Sequence, residues 1–158
     1  MHAEQGLGDG LQFCRYVPLH AARGAQVIFE TPPALQALMR TLDAPGLTVA
    51  ADGEALPDFD LYCPLLSLPE AFGTRLEAIP SAVPYLHAPE AAAAAWRETL
   101  SIPTDGAAER APRIGLCWAG SVKQASELPQ ARLALRNIAL AQLAPLLALP
   151  AQWHSLQK

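Results

Sequence analysis

Short apolar runs alternate with helix-like patterns along this chain, and prolines and glycines separate them. Runs rich in β-branched and aromatic residues predict buried strands over 25–30, 46–51 and 59–63. Apolar residues at helical spacing predict helices over 10–23, 32–44 and 89–100. This order of elements predicts an α/β fold with a mostly parallel, Rossmann-like sheet that helices cover.

Single residues refine the predicted helices. Pro18 within 10–23 predicts a kink or a break, because proline lacks the backbone N–H and clashes with the preceding turn. Gly24 is predicted to end that helix. A further short helix is predicted from Pro69, and Trp96 is predicted to anchor the alanine-rich helix to the sheet.

The composition changes in the second half of the chain. Small and polar residues over 105–112 predict a linker between a domain at 1–104 and a second one at 113–158. The second stretch predicts one unit with strands at 113–120 and 152–156 and a helix between them. Such a unit is too short to cover both faces of its sheet. At the other end of the chain, only four residues are available for a strand before the first glycine turn. We therefore expect a fragment of a larger α/β protein, cut at both ends.

Composition and charge argue against several classes of function. Of the 158 residues, 51% are hydrophobic and 16% are charged, so the chain can bury a core and is not expected to be disordered. The net charge of −4 and the lack of a Lys/Arg run argue against nucleic acid as a main partner. No apolar segment predicts a signal peptide or reaches the roughly 18 residues of a membrane span, so we expect a cytoplasmic protein.

The cysteines and histidines follow no metal-binding or redox pattern. Cys14, Cys63 and Cys117 form no C-x-x-C pair and lie in apolar segments, so each is predicted to be a buried thiol in a reducing compartment. The four histidines lack the H-x-x-x-H spacing of ligands on one helix. We expect neither a metal site nor a bound cofactor.

The stretch EQGLGDGLQF, residues 4–13, places an acid among three glycines: Gly6, Gly8, Asp9 and Gly10. No G-K-[ST] follows, and Leu11 stands where the dinucleotide fingerprint has its third glycine, so the stretch matches neither phosphate-binding motif. Two compatible roles remain for Asp9: it caps the following helix, or it performs acid–base chemistry. The glycines permit positive φ angles and the close approach of a ligand.

Longer segments carry a family resemblance. In order they are AEQGLGDGLQFCRYVPLHAARGAQVIFE, LPDFDLYCPLLSLPEAFGT, IPSAVPYL and RIGLCWAG with the segments that follow it. The series resembles the glycosyltransferase-like region that follows tetratricopeptide repeats in many bacterial proteins, and thereby the heptosyltransferases of glycosyltransferase family 9. The resemblance implies a GT-B fold, in which two Rossmann-like domains face each other across a cleft. It also implies upstream tetratricopeptide repeats and chemistry that needs no metal.

On the acceptor side, the family's G-x-G-D turn matches Gly6-Leu7-Gly8-Asp9. The resemblance therefore implies that Asp9 is the general base for the hydroxyl of a sugar or protein acceptor, beside the glycines of the turn. It also implies that Gln5 and Ser67 line the acceptor site. Tyr62 stands where the family segment usually has histidine, and either its hydroxyl binds a ligand or it is a buried strand residue. The apolar pattern favours the buried strand.

On the donor side, the resemblance places the loop after the strand at 113–120 against the phosphates of a nucleotide sugar, the co-substrate. The residues that it implies for this contact are Gly120, Ser121, Lys123 and Arg136, with Arg132 also available. The loop departs from the family pattern, because G-N-P is absent and Asn137 stands where a serine is usual. Each charged side chain of the loop also fits a solvated surface role.

Three functional interpretations follow. The first is part of a nucleotide-sugar-dependent glycosyltransferase, with Asp9 as the general base. The second is a non-catalytic, transferase-like module that binds a sugar or a partner protein, which the altered loop after Gly120 and the presence of Tyr62 favour. The third is a fragment that has no activity by itself.

Overall fold

The computed structural model describes residues 1–100, 111–120 and 137–157. The chain divides into two compact units, Met1–Ile102 and Pro103–Lys158. The described residues of each unit form helices and one pair of parallel strands. The predicted α/β class with parallel strands is therefore confirmed. None of the helices within the described ranges combines the length and apolarity needed to cross a membrane.

The helices of the first unit are short. They are α1 (Leu7–Phe13), α2 (Val17–Ala21), α3 (Pro33–Met39), α4 (Leu68–Ala71) and α5 (Glu90–Thr99). The predicted break at Pro18 is confirmed, because a 3₁₀ turn follows α1 and Pro18 then lies in the first turn of α2, where a missing N–H costs little. Gly24 ends this region with a φ of 87°, a left-handed conformation that favours glycine.

The sheet of the first unit is centred on β1 (Val27–Thr31), which pairs in parallel with β2 (Leu47–Ala51). On the other side of β1, His2 forms single parallel bridges with Glu30 and with Pro64. Backbone hydrogen bonds support both bridges: the Ala3 N–H donates to the Glu30 oxygen at 3.0 Å, and the Leu65 N–H donates to the His2 oxygen at 2.9 Å. The order across the sheet is therefore β2, β1, the segment around His2, and the segment around Pro64.

The two faces of this sheet differ. Val27, Phe29 and Thr31 alternate along β1 and are buried against the helices. The hydrophobic core between this face of the sheet and the helices also contains, among others, Cys14, Val17, Leu35, Met39, Leu65 and Leu68. The residues between them, Ile28 and Glu30, are only half-buried. One face of the sheet thus forms the core, and the other is partly open.

Two predictions for the first unit are wrong. Residues 59–63 are not a strand, and the side chains of Leu61 and Tyr62 are 88% and 61% exposed. The neighbour of this region in the sheet is the short segment around His2. Pairing with that segment is confined to the bridge at Pro64, just beyond the predicted strand. Trp96 does not anchor its helix, because it is 63% exposed and α5 has no buried residue. The intrinsic propensity of alanine accounts for this helix.

In the second unit, β3 (Arg113–Leu116) pairs in parallel with β4 (Gln152–Ser155). Between them lie a 3₁₀ helix, Leu140–Leu143, and a short α-helix, α6 (Ala144–Leu147). The helix predicted between the two strands is short and begins as 3₁₀, with a proline in the first turn of α6. The predicted strand–helix–strand order is present in the described part of this unit.

Candidate functional site

The glycine turn joins the segment around His2 to the first turn of α1. Gly6 has an extended backbone, with φ −66° and ψ 165°, and α1 begins at the next residue. Asp9 is the third residue of the helix, and its Oδ2 accepts a hydrogen bond from the Gly6 N–H at 3.1 Å. The carboxylate therefore caps the helix from inside its first turn instead of preceding it. The capping role predicted for Asp9 is therefore present, but its side chain binds the N–H of a residue before the helix and not one inside it.

The second oxygen of this carboxylate makes no hydrogen bond to any residue that the structure describes. Asp9 is half-buried, so this oxygen keeps its lone pairs available for a proton or for a hydroxyl donor. The contact with Gly6 holds the carboxylate in one orientation. The arrangement has the parts that a general base needs: an acceptor atom, a fixed direction and access.

The three glycines serve different purposes, and none of them has the positive φ angle that the sequence permits. Positive φ angles are not needed here because the helix starts directly after Gly6, and the helix requires only negative φ. A Cβ at Gly10 would lie 3.0 Å from Leu35 Cδ1, so this glycine lets α1 approach α3. A Cβ at Gly8 would meet nothing within 4 Å. Gly8 therefore presents bare backbone to open space.

The other predicted acceptor-side residues lie close to the turn. Gln5 is exposed directly before it, and Ser67 is exposed at the end of the 3₁₀ helix Leu65–Ser67, which α1 contacts. Glu4 links the two regions, because its carboxylate accepts the N–H groups of Leu65 at 3.0 Å and Leu66 at 3.3 Å. The sequence analysis missed Glu4, and no local motif marks a carboxylate that binds sixty residues away.

Two concave regions of the first unit lie away from Asp9. A cleft of about 830 Å³ covers the open face of the sheet, and it is lined by residues that include His2, Glu30, Thr48, Asp58, Phe59 and Tyr62. A second one, of about 420 Å³, lies beside α1 at Gln12, Arg15 and Arg75. Asp9 lines neither of them. Tyr62 is exposed at the edge of the first cleft, so the interpretation of Tyr62 as a buried strand residue is wrong.

On the donor side, Gly120 is described, whereas Ser121, Lys123, Arg132 and Arg136 lie outside the described residues. The Gly120 N–H donates to Asn137 Oδ1 at 2.8 Å. The N–H groups of the two preceding residues converge on Gln157 Oε1, at 3.3 Å for Trp118 and 2.9 Å for Ala119. Three consecutive backbone donors after β3 thus bind amide oxygens. The sequence analysis gave neither amide this role, because each comes from a distant part of the chain.

The cysteines differ in their surroundings. Cys14 is fully buried, and this burial raises the pKa of its thiol to about 12. Cys63 is half-buried and Cys117 is exposed, so the prediction of three buried thiols is correct for Cys14 alone. Burial, followed by the nearby Arg23, also lowers the pKa of His20. The His20 ring packs edge-on against Phe72, with 4.7 Å between the ring centroids.

Comparison of the chain with models of known families, with curated proteins and with solved structures finds no match. A functional interpretation therefore depends on the sequence resemblance and on the geometry of the site itself. That geometry consists of an oriented carboxylate at a glycine turn, with an exposed amide and an exposed hydroxyl nearby.

Proposed function

We propose that this chain is part of a nucleotide-sugar-dependent glycosyltransferase in which Asp9 is the general base. The observation that carries the proposal is the position of Asp9, in the first turn of the helix that directly follows an inner segment of a parallel sheet. With the segment around His2 counted as the first strand, the chain order across the sheet is 3-2-1-4. This order is compatible with the strands 3-2-1-4 of a doubly wound Rossmann sheet, and it supports the proposal because such sheets bind ligands beyond the carboxyl ends of the strands where the order reverses.

In the proposed reaction, an acceptor hydroxyl oxygen attacks the anomeric carbon of the donor sugar. The bond from that carbon to the diphosphate oxygen breaks, and the nucleoside diphosphate leaves with the electron pair. Asp9 takes the hydroxyl proton, so its unpaired oxygen is the reacting atom. The Gly6 N–H keeps the carboxylate oriented throughout, which is the contribution expected of a positioning group.

The surroundings of the turn support acceptor binding. Gly8 leaves space above the helix backbone, so a sugar ring can approach without meeting a side chain. Gln5 and Ser67 add an exposed amide and an exposed hydroxyl beside it. We further propose that Gly120, Ser121, Lys123 and Arg136 contact the donor diphosphate. Binding would then require Asn137 to release the Gly120 N–H, and we propose no metal or other cofactor for this reaction.

Ligand binding to the complete gene product tests the proposal. We expect UDP, GDP, ADP or CDP to raise its melting temperature and to compete with the matching nucleotide sugar. A nucleotide sugar and a suitable acceptor should release the diphosphate only when they are present together. Failure of all four diphosphates to bind would contradict the proposed function. Sugar binding without any nucleotide binding would instead favour a non-catalytic transferase-like module.

A further inference from the structure

The geometry points to a divalent-metal site formed by His2, Glu30 and Asp52 at the open face of the sheet. This inference goes beyond the proposed transferase activity and does not depend on it. The expectation that no metal binds was based on ligand spacing within one helix. Here the three side chains come from three neighbouring segments of a parallel sheet, and such a set leaves no spacing pattern in the sequence.

The ligand atoms already converge. His2 Nδ1 lies 2.9 Å from Glu30 Oε2 and 4.0 Å from Asp52 Oδ1, and the three atoms all lie within 4.8 Å of one another. When several ligand atoms each lie about 2.0–2.2 Å from one zinc ion, the distances between those atoms are comparable to the separations of 2.9 Å and 4.0 Å observed here. Small side-chain rotations would therefore bring all three atoms to one ion.

The backbones that carry these side chains are hydrogen-bonded to one another. The Glu30 N–H donates to the Met1 oxygen at 2.9 Å, and the Ala3 N–H donates to the Glu30 oxygen at 3.0 Å. The Asp52 N–H donates to the Thr31 oxygen, also at 3.0 Å. The three residues thus belong to one continuous ladder, which fixes their mutual positions before any ion arrives.

The charge of the group favours a divalent cation. Two carboxylates meet one imidazole, no Lys or Arg among the described residues forms an ion pair with either carboxylate, and the Met1 ammonium interacts electrostatically with Glu30. With a neutral imidazole the set carries two negative charges, which one divalent ion would balance. A mixed set of one nitrogen and two oxygens suits first-row transition ions such as Zn²⁺ better than it suits Mg²⁺ or Ca²⁺.

Asp52 is the residue that distinguishes a metal site from a simple ion pair between His2 and Glu30. The hydrogen bond at 2.9 Å accounts for the approach of His2 to Glu30 without an ion. Asp52 lies too far from His2 to share that bond, and its side chain is 43% exposed. It therefore contributes little to folding but would supply the third ligand. The site opens into the cleft of about 830 Å³, so the fourth position would be left to water or a ligand.

Titration calorimetry of Zn²⁺ into the metal-free 158-residue chain tests the inference. We expect one ion per chain with a Kd in the micromolar range or below, and a higher melting temperature with zinc. Asp52→Asn should weaken binding by about tenfold or more and remove the zinc-dependent rise, while the metal-free melting temperature stays unchanged. The control is Asp58→Asn, which alters the same cleft outside the three ligands and should bind zinc like the original chain.

Two results would overturn the inference. One is the absence of zinc binding. The other is equal binding by the original chain and by Asp52→Asn, which would place the ion elsewhere, for example at Cys63 on the same cleft. His2→Ala provides a second check, because it removes the only nitrogen ligand of the group. Neither result bears on the transferase proposal, which involves none of these residues.

Discussion

The Asp9 carboxylate accepts a hydrogen bond from the Gly6 N–H, three residues earlier in the chain, at 3.1 Å. This contact provides the cap and leaves the carboxylate compatible with the acid–base role that we propose for it. One oxygen stabilises the start of α1, and the other has no partner among the described residues. A substitution that keeps the cap and removes the basic oxygen therefore separates the two roles.

Gly8→Ala is expected to stabilise the first unit more than Gly10→Ala does. Both residues are helical, where alanine is favoured over glycine by about 1 kcal/mol. At Gly8 the new methyl group meets nothing within 4 Å, so the free energy of unfolding should rise by about that amount. At Gly10 it lies 3.0 Å from Leu35 Cδ1, so the crowding should cancel or exceed the gain. Urea denaturation of both variants decides the order, and a more stable Gly10→Ala would contradict it.

The same Gly8→Ala variant should bind an acceptor less well, because its methyl group occupies the space that we assign to the sugar. We expect a higher KM for the acceptor, with the KM for the nucleotide sugar unchanged. A more stable variant that retains the acceptor KM of the original protein would show that this space is not used.

Thr31→Val should stabilise the first unit. The Thr31 hydroxyl is fully buried, and its oxygen has no hydrogen-bond partner among the described residues. Replacing it with a methyl group of similar shape should raise the free energy of unfolding by about 1 kcal/mol. Thr48→Val on the neighbouring strand is the control, because Thr48 is exposed and its replacement should change little. Destabilisation by Thr31→Val in urea denaturation would mean that the hydroxyl has a partner.

Thiol labelling at pH 8 should distinguish the three cysteines. With a pKa of about 12, Cys14 is almost entirely protonated at that pH, and it is also inaccessible. The exposed Cys117 should react first with a disulfide reagent, and Cys14 should react only after unfolding. Mass spectrometry of the labelled peptides gives the order. Rapid labelling of Cys14 in the folded chain would contradict the burial of Cys14 in the core.

Elements defined by local signals were predictable from the sequence. β1 and β2 are marked by β-branched runs, and the break at Pro18 follows from the chemistry of proline. The segment 59–63 has the same apolar character but is not a strand, because a strand also needs a partner of sufficient length. Pairing partners are not visible in a local pattern.

The candidate site was predictable to the same extent. Asp9 and its glycines form one continuous motif, so the sequence indicates both the turn and the cap. The contacts of Glu4, Asn137 and Gln157 join residues far apart in the chain. The grouping of His2 with Asp52 depends on which strands are neighbours, and only the fold provides that information.

The most direct test of the account is the transfer rate of the complete gene product carrying Asp9→Asn. Asparagine retains an oxygen that can accept the Gly6 N–H, but an amide does not take up a proton at neutral pH. We expect kcat to fall by about a hundredfold or more, with the melting temperature nearly unchanged. The control, Asp43→Asn, changes an exposed carboxylate in the loop before β2 and should keep the original kcat. A kcat for Asp9→Asn equal to that of the original protein would contradict the assignment of Asp9 as the general base.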